Sequence, residues 1–118
     1  MSYDICIKDA DSGDVAELPS PHFIAGGTYA AGGTTQAHLN ITYNYATHFH
    51  KVLGDGGVRS IYGKRAGDTI NTLLQAAAQL ADDYTGDYWE GTEGNAKKSL
   101  LQLVALAQLV PDGIWDGD

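Results

Sequence analysis

The chain has one cysteine, three prolines and seven basic residues among 118, and no long apolar run. Each scarcity excludes something. A lone Cys6 cannot close an internal disulfide, and no Cys/His cluster has zinc-finger spacing, which points to a reduced, cytoplasmic setting. No apolar stretch reaches the ~18–20 residues that a bilayer core demands, so no membrane association is expected. Met1-Ser2-Tyr3-Asp4 has neither a basic start nor an apolar stretch, so no signal peptide is expected there. Fifteen acids against seven bases leave a net charge of −8, the wrong sign for a protein that grips a DNA or RNA backbone. The length suits one domain, and 43% apolar residues suffice for one modest core.

The few bases are unevenly placed. Between Leu18 and Gly67 the only acid is Asp55, against Lys51, Arg59, Lys64 and Arg65. That segment is net +3 (4 − 1) and the remainder net −11 (3 − 14). Such an island suits one compact anion better than a polymer; it also fits an ordinary solvated face.

The pattern of the first 43 residues predicts strands and that of residues 44–118 predicts mainly helices. Residues 3–8 read as a short strand, and Asp9 to Ser20 as a loop. Glycine pairs at 26–27 and 32–33 suggest an antiparallel hairpin of 22–30 against 35–43. From Gln36 the alternation is clean, with Ala37, Leu39, Ile41 and Tyr43 on one side and His38, Asn40, Thr42 and Asn44 on the other. Tyr45, Phe49 and Val52/Leu53 then mark a helical face closed by Gly54. Val58 to Tyr62 reads as a helical turn. Asp68 is the expected N-cap of a helix over roughly 69–81. Thr92 or a neighbour caps a last helix to Val110, ended by Pro111-Asp112-Gly113. That helix is apolar on more than one face, which asks for a second cover and so predicts a homo-oligomer. Ile114 and Trp115 are expected to dock back on the body. Strands first and helices afterwards give an α+β domain, an antiparallel sheet with about three helices packed on it.

Candidate chemistry is sparse. His48 and His50 stand two apart on a helix and so on different faces, which excludes chelation of one metal, and no other metal set is apparent. Cys6, between Ile5 and Ile7, reads as a buried thiol. No catalytic triad is apparent, and the acids of residues 82–93 read as a solvated loop, so no enzyme and no cofactor are expected. Gly54-Asp55-Gly56-Gly57-Val58-Arg59, followed by Gly63-Lys64-Arg65, fits an anion-binding turn or an ordinary helix connection, because the Walker spacing is absent. The last constellation is Tyr84, Tyr88, Trp89 and Thr92 with Asn95. These aromatics suit stacking on a base, and Thr92 and Asn95 suit hydrogen bonds to its edge or to a ribose. The helix starting near Asn95 would offer N–H groups to an anion. The alternative is that Tyr88 and Trp89 plug the core and Thr92 only caps.

Asn40-Ile41-Thr42-Tyr43-Asn44, Ile61-Tyr62-Gly63-Lys64, the run from Tyr88 to Ala96, and Pro111-Asp112-Gly113-Ile114-Trp115 resemble a family of small phage and prophage proteins, the first class of Thoeris anti-defence proteins. The resemblance runs from about Leu39 to the C-terminus. It implies sequestration in the host cytoplasm of the cyclic ADP-ribose isomer that TIR enzymes make from NAD, without cleavage. It also implies possible capture of the cyclic oligonucleotides of CBASS immunity, and assembly as dimers or hexamers. Carried over, Asn95 would contact adenosine or ribose, one of Tyr84, Tyr88 and Trp89 would stack on the base, and Arg59 would bind phosphate, with Lys64 and Arg65 as further cations. Two other functions fit the composition: an acidic protein that blocks a host enzyme by mimicking nucleic acid, and a small nucleotide hydrolase.

Overall fold

The computed structural model describes residues 2–22 and 33–118. The chain runs β1 (Ser2–Lys8), β2 (Glu17–His22), β3 (Thr34–Gln36), β4 (His38–Thr42), a 3-10 turn (Tyr43–Tyr45), α1 (Ala46–Leu53), a second 3-10 turn (Gly57–Ile61), α2 (Ala66–Ala78), α3 (Glu93–Leu109) and β5 (Ile114–Gly117). This is the expected α+β arrangement.

Strand β1 is the middle of a three-stranded sheet ordered β4-β1-β5, antiparallel throughout. Its period-two pattern sends Tyr3, Ile5 and Ile7 into the core, where Leu39 and Ile41 of β4 join them. Ile5 stands opposite Leu39, and Ile7 opposite Trp115. The alternation read from Gln36 to Asn44 holds over Ala37–Ile41 and fails beyond it, where Thr42, expected on the outer side, is buried and Tyr43–Tyr45 form a 3-10 turn. Among the described residues β4 pairs with β1, and β3 pairs with β2. Most of the expected partner, 22–30, lies outside the described residues. The stretch expected to be a loop holds the strand Glu17–His22 instead. Pro19 and Pro21 disguise it, yet a strand paired along one edge tolerates residues that cannot donate.

Helix α1 ends where expected, on Gly54, whose φ of 88° lies in the left-handed region that a β-carbon penalises. Helix α2 begins earlier than expected. Arg65, not Asp68, is its N-cap, and it makes no side-chain cap. The orphan N–H groups of Ala66 and Gly67 instead donate to the carbonyls of Gly113 and Pro111, at 2.8 Å each. Asp68 sits in the first turn, where a carboxylate suits the helix dipole. Thr92 does cap α3, accepting from Asn95 N at 3.1 Å.

The end of the chain does more than dock. Ile114–Gly117 completes the sheet as β5, and Trp115 is fully buried with its indole N–H donating to Thr69 Oγ1 at 2.8 Å. Cys6 is buried as expected, and burial raises its thiol pKa. No helix among the described residues is long and apolar enough to cross a membrane.

Candidate functional site

Helices α2 and α3 are joined by the acidic, aromatic segment 81–92, which has no regular structure. Asn95, in the first turn of α3 and only 2% exposed, holds it in shape. Its Oδ1 accepts from Thr85 N at 3.1 Å. Its Nδ2 donates to Thr85 Oγ1, Asp87 O and Glu90 O at 3.1, 2.9 and 2.8 Å. Asp83 reaches the helix start, where its carboxylate accepts from Gly94 N at 2.7 Å. The approach is so close that a β-carbon on Gly94 would fall inside the backbone of Asp83 and Tyr84.

The opposite side of the segment is tied to the first 3-10 turn and α1. Asn44 donates to Trp89 O at 2.7 Å, the Tyr45 hydroxyl donates to Tyr88 O, and His48 Nε2 donates to Gly91 O at 2.8 Å. The Tyr88 hydroxyl accepts from Thr42 N at 2.6 Å. These bonds fix the ring of Tyr88 edge-on to Tyr45, centroids 5.7 Å apart.

Between segment and helix lies a cavity of about 250 Å³, lined by Tyr45, Tyr84, Gly86, Tyr88, Asn95, Lys98, Ser99 and Gln102. Three aromatic rings form one wall. The facing wall is a polar stripe of α3, Asn95, Lys98, Ser99 and Gln102, which share a helix face at i, i+3, i+4 and i+7. Lys98 Nζ donates to the Tyr84 hydroxyl at 2.9 Å and lies 4.6 Å from that ring's centroid. The cavity thus offers stacking surface, amide donors and acceptors, and one ammonium. Its wall contains no carboxylate or imidazole.

The structure brings Tyr84, Tyr88 and Asn95 together and leaves the other candidates at varying distances. Trp89 stands edge-on against Tyr88, centroids 5.0 Å apart, and is 55% exposed. Thr92 is spent on its cap. The N–H groups of Gly94 and Asn95 go to Asp83 and Thr92, so the protein's own carboxylate takes the place expected for a bound anion. Arg59, Lys64 and Arg65 do not line the cavity. Arg59 Nε donates to the main-chain oxygen of Asp118 at 2.8 Å, and its guanidinium lies 4.8 Å from the Tyr3 ring centroid. Arg65 pairs with Asp68 and Asp112, and Lys51 with Glu93. In the glycine-rich turn, Gly57 N donates to Gly54 O at 2.9 Å, so that N–H serves the helix connection. Lys98, Ser99, Gln102, Tyr45 and Gly86 were missed by sequence reasoning. The polar stripe at helical spacing was the available signal for the first three, masked by the leucines between them. Among the described residues, no group of three or more His, Cys, Asp or Glu gathers as a metal site.

Burial, reinforced by the Tyr88 phenol and the Asp87 carboxylate, pushes the Tyr45 hydroxyl up to about 12. An unfolded phenol titrates near pH 10. Between about pH 10 and 12 the unfolded chain sheds this proton and the folded chain keeps it, so stability is full below that window and falls as pH rises through it. Tyr45→Phe should cost about 1 kcal/mol at neutral pH, for the lost bond to Tyr88 O. The gap between the two proteins should close as pH rises from about 10 to 12, because phenylalanine has no proton to lose. Urea unfolding at several pH values measures it, and a gap independent of pH would refute the assignment.

No protein-family model matches the chain, and no curated protein or solved structure matches it either.

Proposed function

We propose that this protein captures a small cyclic nucleotide, a cyclic ADP-ribose isomer in the first instance, and holds it without cleaving it. The observation that carries the reading is the cavity whose one wall is Tyr45, Tyr84 and Tyr88 and whose other is the Asn95–Lys98–Gln102 stripe. Rings stack on a base, amides pair with its edge or a ribose, and an ammonium meets a phosphate. The ionisable groups of the wall are phenols and one ammonium, a set suited to binding. A volume of about 250 Å³ takes one nucleoside of the ligand, which leaves its phosphates at the mouth beside Lys98. Arg59, Lys64 and Arg65 would contribute only from a second copy of the chain, so the proposal includes a homo-oligomer, working in the cytoplasm of the host cell where the signal is made.

A second reading, an acidic surface that mimics nucleic acid, draws on Tyr84 and Trp89, 53% and 55% exposed on a segment that also carries Asp82, Asp87 and Glu90. One experiment separates the readings. The protein is incubated with the cyclic nucleotide, freed of excess, heat-denatured, and the supernatant analysed by mass spectrometry. Intact ligand at about one equivalent per cavity is expected. Cleaved products would replace the proposal with a hydrolase, and an empty supernatant would favour the surface mimic.

A further inference from the structure

Most polar groups of the cavity wall are already engaged by the protein itself. The Tyr45 hydroxyl donates to Tyr88 O, and the Tyr88 hydroxyl accepts from Thr42 N and donates to Asn40 O at 3.4 Å. Asn95 is spent on the connecting segment: its Oδ1 accepts from Thr85 N, and its two N–H groups serve three acceptors. The Ser99 hydroxyl, 2% exposed, donates to Asn95 O at 3.4 Å, one turn back along α3. Lys98 gives one of its three N–H groups to the Tyr84 hydroxyl. Gln102 differs. It lines the cavity half-buried, and its amide has no hydrogen-bond partner among the described residues.

We infer that Gln102 reads the edge of the bound base and makes the cavity selective for a 6-substituted purine. Resting on the proposed capture of a cyclic nucleotide, this assignment names the class of base that the same cavity takes. Stacking on tyrosine accepts any base, because every base has a π-face, so selectivity has to come from the edge. Lys98 and Gln102 stand four residues apart on one face of α3, about 6 Å along its axis. A phosphate held beside Lys98 therefore leaves the base within reach of Gln102. A primary amide offers N–H donors and a carbonyl acceptor in one plane. Adenine presents its 6-amino donor next to a ring-nitrogen acceptor, the complement of that amide. The amide turned over meets the 6-oxo acceptor and N1–H donor of hypoxanthine equally well. A purine bare at position 6 keeps only the ring nitrogen and leaves the Gln102 carbonyl unpaired against the ligand, a loss that separates ligands sharply. Asn95, which the resemblance assigns to the adenosine, has no spare N–H for that contact.

Calorimetric titration tests this with three ligands: a cyclic ADP-ribose isomer whose base edge is free, and its analogues with hypoxanthine or unsubstituted purine in place of adenine. The unaltered protein should bind the first two within about threefold of each other and the third at least about tenfold more weakly. Gln102→Met keeps the length of the side chain and removes its donors and acceptor. It should bind all three alike, at about the level at which the unaltered protein binds the purine analogue. Circular dichroism confirms that the variant folds, and the ligand series on the unaltered protein needs no variant at all. Equal binding of the purine and adenine ligands by the unaltered protein, or a preference that survives in Gln102→Met, overturns the role of Gln102 and leaves capture standing. A folded variant that binds none of the three also overturns it, because Gln102 would then belong to the framework of the cavity. An unaltered protein that binds none of the three overturns the proposed function, and this assignment with it.

Discussion

Trp115→Ala should destabilise the protein by about 3–5 kcal/mol, the usual cost of truncating a fully buried large aromatic. Trp115 is 0% exposed and stands opposite Ile7 of the middle strand. Its N–H donates to Thr69 Oγ1, and Thr69 Oγ1 in turn donates to Ala66 O at 2.7 Å. The side chain thus joins β5 to the first turn of α2, the same turn whose N–H groups are satisfied by Pro111 and Gly113. Truncation leaves a void, removes the donor to Thr69 Oγ1, and loosens the strand that completes the sheet. For a domain stabilised by ~5–15 kcal/mol the loss is a large fraction of the whole. Urea unfolding by circular dichroism measures it. Trp115→Phe, which keeps most of the packing and loses only the hydrogen bond, should cost about 1–2 kcal/mol. A Trp115→Ala loss below about 1 kcal/mol would mean that β5 is not part of the core.

The same residue shows how far the sequence could be read. Ile114-Trp115 were visible as an apolar pair after a helix stop, so docking followed; a strand did not, because Ile-Trp-Asp-Gly is too short to display a period. The alternation of Leu39 and Ile41 was legible because one face is core and the other wet. Its pairing with β1 was not, because β1 lies far away in sequence and the glycines at 26–27 and 32–33 pointed to a local hairpin, whose other arm lies mostly outside the described residues. The start of α2 was hidden for a similar reason: its cap is the main chain of residues 111–113.

The site was half legible. Tyr84, Tyr88 and Asn95 meet because they flank one connection and one helix start, a local property. The cationic island does not line the cavity. Its neighbours in sequence come from different elements, and the acidic remainder supplies partners to Arg65 through Asp68 and Asp112, and to Lys51 through Glu93. Charge summed along a segment ignores those long-range pairings. The cation that does reach the cavity, Lys98, belongs to the part of the chain with net charge −11 (3 − 14).

Asn95→Ala should cost about 2–4 kcal/mol and abolish nucleotide capture through the cavity's shape. Asn95 accepts one hydrogen bond from the connecting segment and shares its two amide N–H groups among three acceptors there, each full bond worth a net ~0.5–1.5 kcal/mol, and Thr85, Asp87 and Glu90 are exposed enough for water to replace part of the loss. Without the amide, no hydrogen bond from α3 to residues 85–90 remains among the described residues, and the wall opens around Gly86 while Tyr88 stays tied to Thr42 and Tyr45. A residue that only touched the ligand would behave otherwise: its loss would weaken capture and leave stability alone. Lys98→Ala is that contrasting case, because Lys98 is exposed and, among the described residues, its hydrogen bond goes to the Tyr84 hydroxyl. It should leave unfolding within about 0.5 kcal/mol of the unaltered protein and weaken capture by about 1.5–3 kcal/mol, the worth of a charge-assisted hydrogen bond. Urea unfolding and nucleotide titration calorimetry, run on both variants, place each on the two axes. If Asn95→Ala kept its stability but lost capture, the amide would be a ligand contact in its own right. If both variants bound as the unaltered protein does, the cavity between the segment and α3 would not be the nucleotide site.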